Sequence, residues 1–117
     1  VENCHELWCA NGSRPDDPLI MKVLALDGQF FPAPHDMGVA LGAAGRLPEA
    51  LFYIGKALSI IPGHALARCN RAMLMAYSGR AGEAEAMLRA EADLEDPLVI
   101  KALSVVRQEA REPGRLL

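Results

Sequence analysis

Gly45-Arg46-Leu47-Pro48-Glu49-Ala50 and Gly79-Arg80-Ala81-Gly82-Glu83-Ala84 stand 34 residues apart, and four of their six positions are identical. The agreement extends outward in the same register. Gly38 falls on Ala72, Leu41 on Met75, Ile54 on Leu88 and, with one inserted residue, Pro62 on Pro97. A fixed period of this kind marks a repeated supersecondary unit that cannot bury its apolar face alone and must stack on its neighbours. The matched residues are of the types two packed helices need, with small Gly38 or Ala72 where backbones approach, small Ala50 or Ala84 opposite, and bulky groups between.

Local rules divide each repeat into helix, tight turn, helix. Gly45 and Gly79 are left-handed C-cap candidates, and Pro48 fits the first turn of the helix that follows. One helix starts near Pro34. Over 48–61, Ala50, Leu51, Ile54, Ala57, Leu58 and Ile61 recur at helical spacing and make one stripe to be buried, and Pro62-Gly63 ends it. The next pair is predicted over about 64–78 and 81–94. Asp96-Pro97 supplies an N-cap and a first-turn proline for a last helix over about 97–110. Leu98, Val99, Ala102, Leu103 and Val106 on that helix are expected to cover the open end of the stack, with Lys101, Arg107, Gln108 and Arg111 facing water.

Upstream the period is degraded but legible, since Lys22 falls under Lys56, Leu24 under Leu58, and Asn11-Gly12 near Gly45. A helix over about 2–10, a turn from Asn11 to Pro18 and a helix over about 19–26 ended by Asp27-Gly28 are expected. The chain is then a single all-α domain over 1–117: a degenerate repeat (1–30), two repeats (31–64 and 65–97), a capping helix (98–111) and a frayed tail (112–117).

By these residues the chain resembles the tetratricopeptide-repeat (TPR) superfamily over nearly its whole length, most clearly from Met37 to Pro97. The resemblance implies a right-handed α-α superhelix of about three helix pairs plus the capping helix. More narrowly, Leu26-Asp27 followed by Phe30-Phe31, then Met37-Gly38-Val39-Ala40-Leu41-Gly42 to Gly45, and Gly82-Glu83-Ala84-Glu85-Ala86-Met87-Leu88, look like the class II chaperones of bacterial type III secretion. Such chaperones hold a peptide of a translocator protein in their concave groove. Two positions depart from the repeat pattern: Arg71 stands where a TPR carries Leu, and Glu91 where it carries a small apolar residue. The last full pair is therefore expected to pack loosely or to be covered by the terminal helix, with the Arg71 stem lying along that surface.

In such a stack the first helix of each pair lines the concave side. By helical phase the expected groove residues are His35, Val39, Gly42 and Ala43 on one helix, and Cys69, Asn70, Met73, Ala76 and Tyr77 on its equivalent, with Lys101 closing the end. Val39, Met73 and Tyr77 make this lining apolar and adaptable, while Gly42 and Ala43 leave room for a ligand chain. The bland alternative is that Val39 and Met73 simply pack against adjacent repeats. TPRs that clamp a C-terminal carboxylate use paired Lys and Asn residues along this surface. Here only Asn70 and Lys101 remain, so a carboxylate clamp is disfavoured.

Composition excludes several classes. A formal charge of −3 without any Lys/Arg cluster leaves no footprint for a phosphate backbone, so nucleic acid is not an expected partner. Gly, Pro or charge interrupts every apolar stretch, so membrane insertion is not expected either. Val1-Glu2-Asn3-Cys4 shows neither an initiator Met nor a signal-peptide pattern, which trimming would equally produce. Three cysteines, Cys4, Cys9 and Cys69, fit reduced thiols in a cytoplasmic protein better than a disulfide framework.

The constellations that suggest chemistry are weak. Cys4-His5 with Cys9 lacks the second ligand pair of a zinc site, so no metal is expected. The acidic series Glu83, Glu85, Glu91, Glu95 and Asp96 is interleaved with Arg80 and Arg89, which suits a solvated face. Gly38, Gly42 and Gly45 lack the preceding strand of a nucleotide loop and are assigned to packing and capping. No cofactor and no catalytic residue are expected. The function that follows is a protein-interaction module binding an apolar peptide of a partner, a secretion chaperone being its most specific version. Its rivals are a scaffold that forms a homodimer through Phe30, Phe31 and the end helices, and the TPR portion of a larger transferase or kinase.

Overall fold

Six α-helices and no strand occur among the residues that the computed structural model describes, which are Cys4, 17–91 and 93–113. They are α1 (Asp17–Leu26), α2 (Pro32–Ala43), α3 (Leu47–Ile60), α4 (Ala65–Tyr77), α5 (Ala81–Glu91) and α6 (Pro97–Arg111). The helix expected over 2–10 lies outside the described residues apart from Cys4, whose buried thiol donates to the Val23 carbonyl (3.3 Å). None of the six helices is long and apolar enough to cross a membrane.

The two turns that carry the 34-residue identity close in the same way, bond for bond. Gly45 and Gly79 are left-handed, with φ of 80° and 88°, the conformation that glycine adopts without a Cβ penalty. Arg46 N–H donates to Leu41 O (2.9 Å) and Arg80 N–H to Met75 O (2.9 Å), the six-residue bond that ends a helix at such a glycine. Gly45 N–H to Gly42 O (3.1 Å) and Gly79 N–H to Ala76 O (3.0 Å) complete each cap. Past each turn the arginine pairs with the glutamate three residues on, Arg46 with Glu49 and Arg80 with Glu83.

Each helix packs against the next, and α4 also touches α2 and α6. Apolar side chains gather in two clusters laid along a molecule of 50 × 27 × 18 Å. The first joins α1, α2 and α3 through Ile20, Val23, Met37, Leu41, Ile54 and Leu58; the second joins α5 and α6 through Leu88, Val99, Leu103 and Val106. Helix α4 serves both, giving Ala67 and Leu74 to one cluster and Cys69, Ala72, Met75 and Ala76 to the other. Ile54 and Leu88, one period apart, are fully buried, each contributing about 1.5–3 kcal/mol.

Helix α6 covers the second cluster with Val99, Ala102, Leu103 and Val106, and Asp96 caps it by accepting from Leu98 N–H (2.9 Å). Leu98, expected to face inward, is 44 % exposed. Helix α5 stops at Glu91, three residues before the predicted 94. An Asx turn takes over, in which Asp93 accepts from Glu95 N–H (2.9 Å).

The two departures from the repeat pattern compensate each other. Arg71 Nη2 donates to Glu91 Oε2 (2.7 Å) across the α4–α5 junction. Arg68 joins them, donating to the Glu91 carbonyl (2.5 Å) at the C-terminus of α5 and to Pro62 O (2.7 Å), where a cation also complements the helix dipole. The ion pair, with side chains 25 % and 36 % exposed, fastens this helix pair, and of the two outcomes expected for it, loose packing or cover by the terminal helix, the second is seen, since α6 packs on both α4 and α5.

Two predictions follow from this packing. A Cβ added at Gly38 would lie 2.5 Å from Ile54 Cγ1 and 3.1 Å from the Ile54 backbone N, whereas one added at Gly55 meets nothing within 4 Å. In urea titrations Gly38→Ala is expected to destabilise by about 1–3 kcal/mol, and Gly55→Ala to stabilise by about 0.5–1 kcal/mol. A double-mutant cycle with Arg71→Leu and Glu91→Ala is expected to return a coupling of about 0.5–1 kcal/mol; strictly additive effects would show the pair to be idle.

Candidate binding groove

Two hollows open between α2 and α4 and share Val39, Ala43 and Asn70, so they form one continuous trough. The hollow of about 350 Å³ is lined by Val39, Gly42, Ala43, Asn70, Met73, Leu74 and Tyr77. The other, of about 540 Å³, is lined by His35, Asp36, Val39, Ala40, Ala43, Leu66 and Asn70. On α2 the contributing positions 36, 39, 40 and 43 make an i, i+3, i+4, i+7 stripe, and on α4 positions 66, 70, 73, 74 and 77 make another.

Of the groove residues expected from phase, His35, Val39, Gly42, Ala43, Asn70, Met73 and Tyr77 line the trough. Cys69 and Ala76 do not. Both are buried in the second cluster with Val99, Ala102, Leu103 and Val106, because α6 packs on that flank of α4. Burial, aided by the Asp96 charge, pushes the Cys69 thiol up and keeps it protonated. Lys101 is exposed on α6 and lines neither hollow. Asp36, Ala40, Leu66 and Leu74 were not anticipated; Leu66 could have been found one turn before Asn70 on the same helical stripe.

Gly42 serves the helix packing expected of it as well as lining the trough. A Cβ there would meet Leu74 Cδ2 at 2.6 Å, so the space is filled by Leu74 from α4 and the glycine sets the floor of the trough. Phe30 and Phe31 are half-buried against the first cluster, acting as an internal wedge. The Phe31 ring stacks on His35 (centroids 5.2 Å apart) and tilts against His64 (4.3 Å).

His35 is the polar hub of this end. The Asn70 amide nitrogen can only donate, so at 3.2 Å His35 Nε2 accepts, which leaves the proton of the neutral ring on Nδ1, 3.7 Å from Asp36 Oδ1. Burial pulls His35 below its ordinary value, and the charge of Asp36 opposes this without reversing it. His64 caps α4 through Nδ1, accepting from Ala67 N–H (3.2 Å), a role Ser, Thr, Asp or Asn usually takes. At the other end of the trough, burial and then the Glu109 charge push the Tyr77 phenol up, so it stays a hydrogen-bond donor.

Among the described residues no three His, Cys, Asp or Glu converge as a metal site, and His5 and Cys9 lie outside them. Comparison with protein-family models, with curated proteins and with solved structures finds no match to the chain.

The buried His35 makes stability fall in mild acid. Its folded value lies below the unfolded one of about 6.5, so the contribution is complete above that pH and is lost as pH falls from there through the folded value. His35→Gln is expected to be less stable than the wild type at pH 7 but to lose less on going to about pH 5, as read from paired urea titrations.

Proposed function

We propose that this chain is a TPR-like module that holds an apolar segment of a partner protein in the α2–α4 trough, with no catalytic step of its own. The observation that carries this reading is the joining of the two hollows through Val39, Ala43 and Asn70, which makes a channel open to solvent and floored by apolar groups. Val39 is exposed at its centre, although it sits on a helix whose other apolar side chains are mostly buried. The repeated turns at Gly45 and Gly79 support stacked helix pairs in the TPR manner. The secretion-chaperone version would use the trough to shield an aggregation-prone segment until it is handed on.

Self-association is the second reading. It draws on Phe52, 59 % exposed on α3 beside Tyr53 and Lys56, since Phe30 and Phe31 are committed to the core. Light scattering of the purified chain separates a dimer from a monomer.

Met73→Glu places a charge in the trough, and Tyr77→Ala removes a large half-buried ring. Each is expected to weaken capture of the partner by about tenfold or more in co-purification followed by mass spectrometry, with the helical circular-dichroism signal retained. Undiminished capture by both folded variants would remove the trough from the binding surface.

A further inference from the structure

Helix α3 buries one side and leaves the other open. Ala50, Ile54, Ala57 and Leu58 face the core, while Glu49, Phe52, Gly55, Lys56 and Ser59 are exposed on the opposite side. Phe52 stands out there with its ring held in place, since the Tyr53 ring meets it edge-on (centroids 5.3 Å apart) and Lys56 Nζ lies 5.6 Å over it. Gly55, three residues on and so beside Phe52 on the helix surface, leaves a gap, because a Cβ added there meets nothing within 4 Å.

This face is complementary to itself when reversed. A two-fold axis crossing α3 midway between residues 52 and 55 lays two copies of the helix antiparallel and sets Phe52 of each copy on Gly55 of the other, a knob on a gap at both places. The same axis puts Lys56 of one copy opposite position 51 of the second, about 3 Å along the helix from Glu49 and within reach of the lysine side chain. Glu49 already pairs with Arg46, and a carboxylate accepts more than one donor, so Lys56 of the second copy joins that pair without breaking it. In a parallel arrangement Glu49 would face Glu49 and Lys56 would face Lys56.

We infer that the outer face of α3 is an interface between two copies of this chain, packed antiparallel about a two-fold axis with Phe52 seated on Gly55 and Lys56 beside Glu49 of the other copy. The pairing rests on self-association, the second reading above, and gives it a surface and a symmetry. The trough is lined from α2 and α4, so both can operate in one molecule. One helix on one helix buries less than the roughly 1,200 Å² of a stable specific interface, so the dimer is weak and forms as concentration rises.

The test is the mass of the purified full chain in low salt, by sedimentation from about 10 to about 500 µM, the range in which a small interface associates. The wild type is expected to pass from monomer towards dimer and no further, since a two-fold pairing closes on itself. Phe52→Ala, an exposed change that keeps the helical signal, is expected to weaken the dimer about tenfold. Lys56→Glu and Glu49→Lys are each expected to weaken it about three- to tenfold, and the two together to restore it to within about twofold, because the charges then meet in reverse. Gly55→Gln fills the gap, and is expected to weaken the dimer about fivefold while leaving the monomer at least as stable in urea. Met73→Glu, in the trough, is expected to leave the dimer unchanged. A wild type that stays monomeric throughout would overturn this pairing and the self-association reading together, leaving the face for a different protein. A dimer that survives Phe52→Ala and Gly55→Gln, or that is lost in Met73→Glu instead, would overturn the α3 face while self-association stands. Single charge variants that weaken the dimer without recovery in the combined variant would overturn the antiparallel arrangement.

Discussion

Ile54 lies against the backbone of α2 because residue 38 has no side chain. A Cβ at that position would stand 2.5 Å from Ile54 Cγ1, so the spacing of α2 and α3 is set by the absence of one carbon atom. One turn further along α2, Gly42 does the same for α4, admitting Leu74 where a Cβ would sit 2.6 Å from its Cδ2. Two of the three neighbours of α2, α3 and α4, are thus seated on it through two glycines four residues apart. Close-packed interiors transmit such constraints, and the depth of the trough between α2 and α4 is one result.

Helix α4 then becomes the hinge of the architecture in the literal sense that both apolar clusters hang on it. Its small residues Ala67, Cys69, Ala72 and Ala76 allow approach on several sides, while Leu74 and Met75 fill the gaps. Small side chains give little stabilising area each, and electrostatic fastening adds to it at the edges. Arg71 and Arg68 tie α4 to the end of α5 through Glu91, and Arg107 reaches Glu85 to tie α6 to α5 (3.3 Å). Partly exposed pairs of this kind are individually weak, so the buried aliphatic contacts remain the main term.

The chemistry of the trough follows from what the helices leave between them. Its walls are aliphatic, its floor is Leu74 over Gly42, and its polar groups are His35 and Asp36 in one hollow, Tyr77 in the other and Asn70 where the two meet. The Phe31 ring stacks on His35 and tilts against His64, which ties the start of α4 to α2. Burial on this side favours the uncharged form of His35.

Periodicity and turn chemistry are local, and for that reason the sequence alone determined the helices. The 34-residue identity around Gly45 and Gly79 set the hairpin turns, and Asp96-Pro97 set the start of α6, because caps and left-handed glycines act within a few residues of themselves. Much of the trough was legible too, since Val39, Asn70, Met73 and Tyr77 lie on outward stripes of their helices. Only tertiary structure decided the rest. Cys69 and Ala76 went to the core because α6 returns to α4, and Arg71 and Glu91 proved to be partners across 20 residues. Asp36 with Leu66 joined the lining once α2 and α4 took up their relative rotation. A helix's phase says which residues share a face; which neighbour covers that face depends on contacts between distant segments that no local pattern encodes.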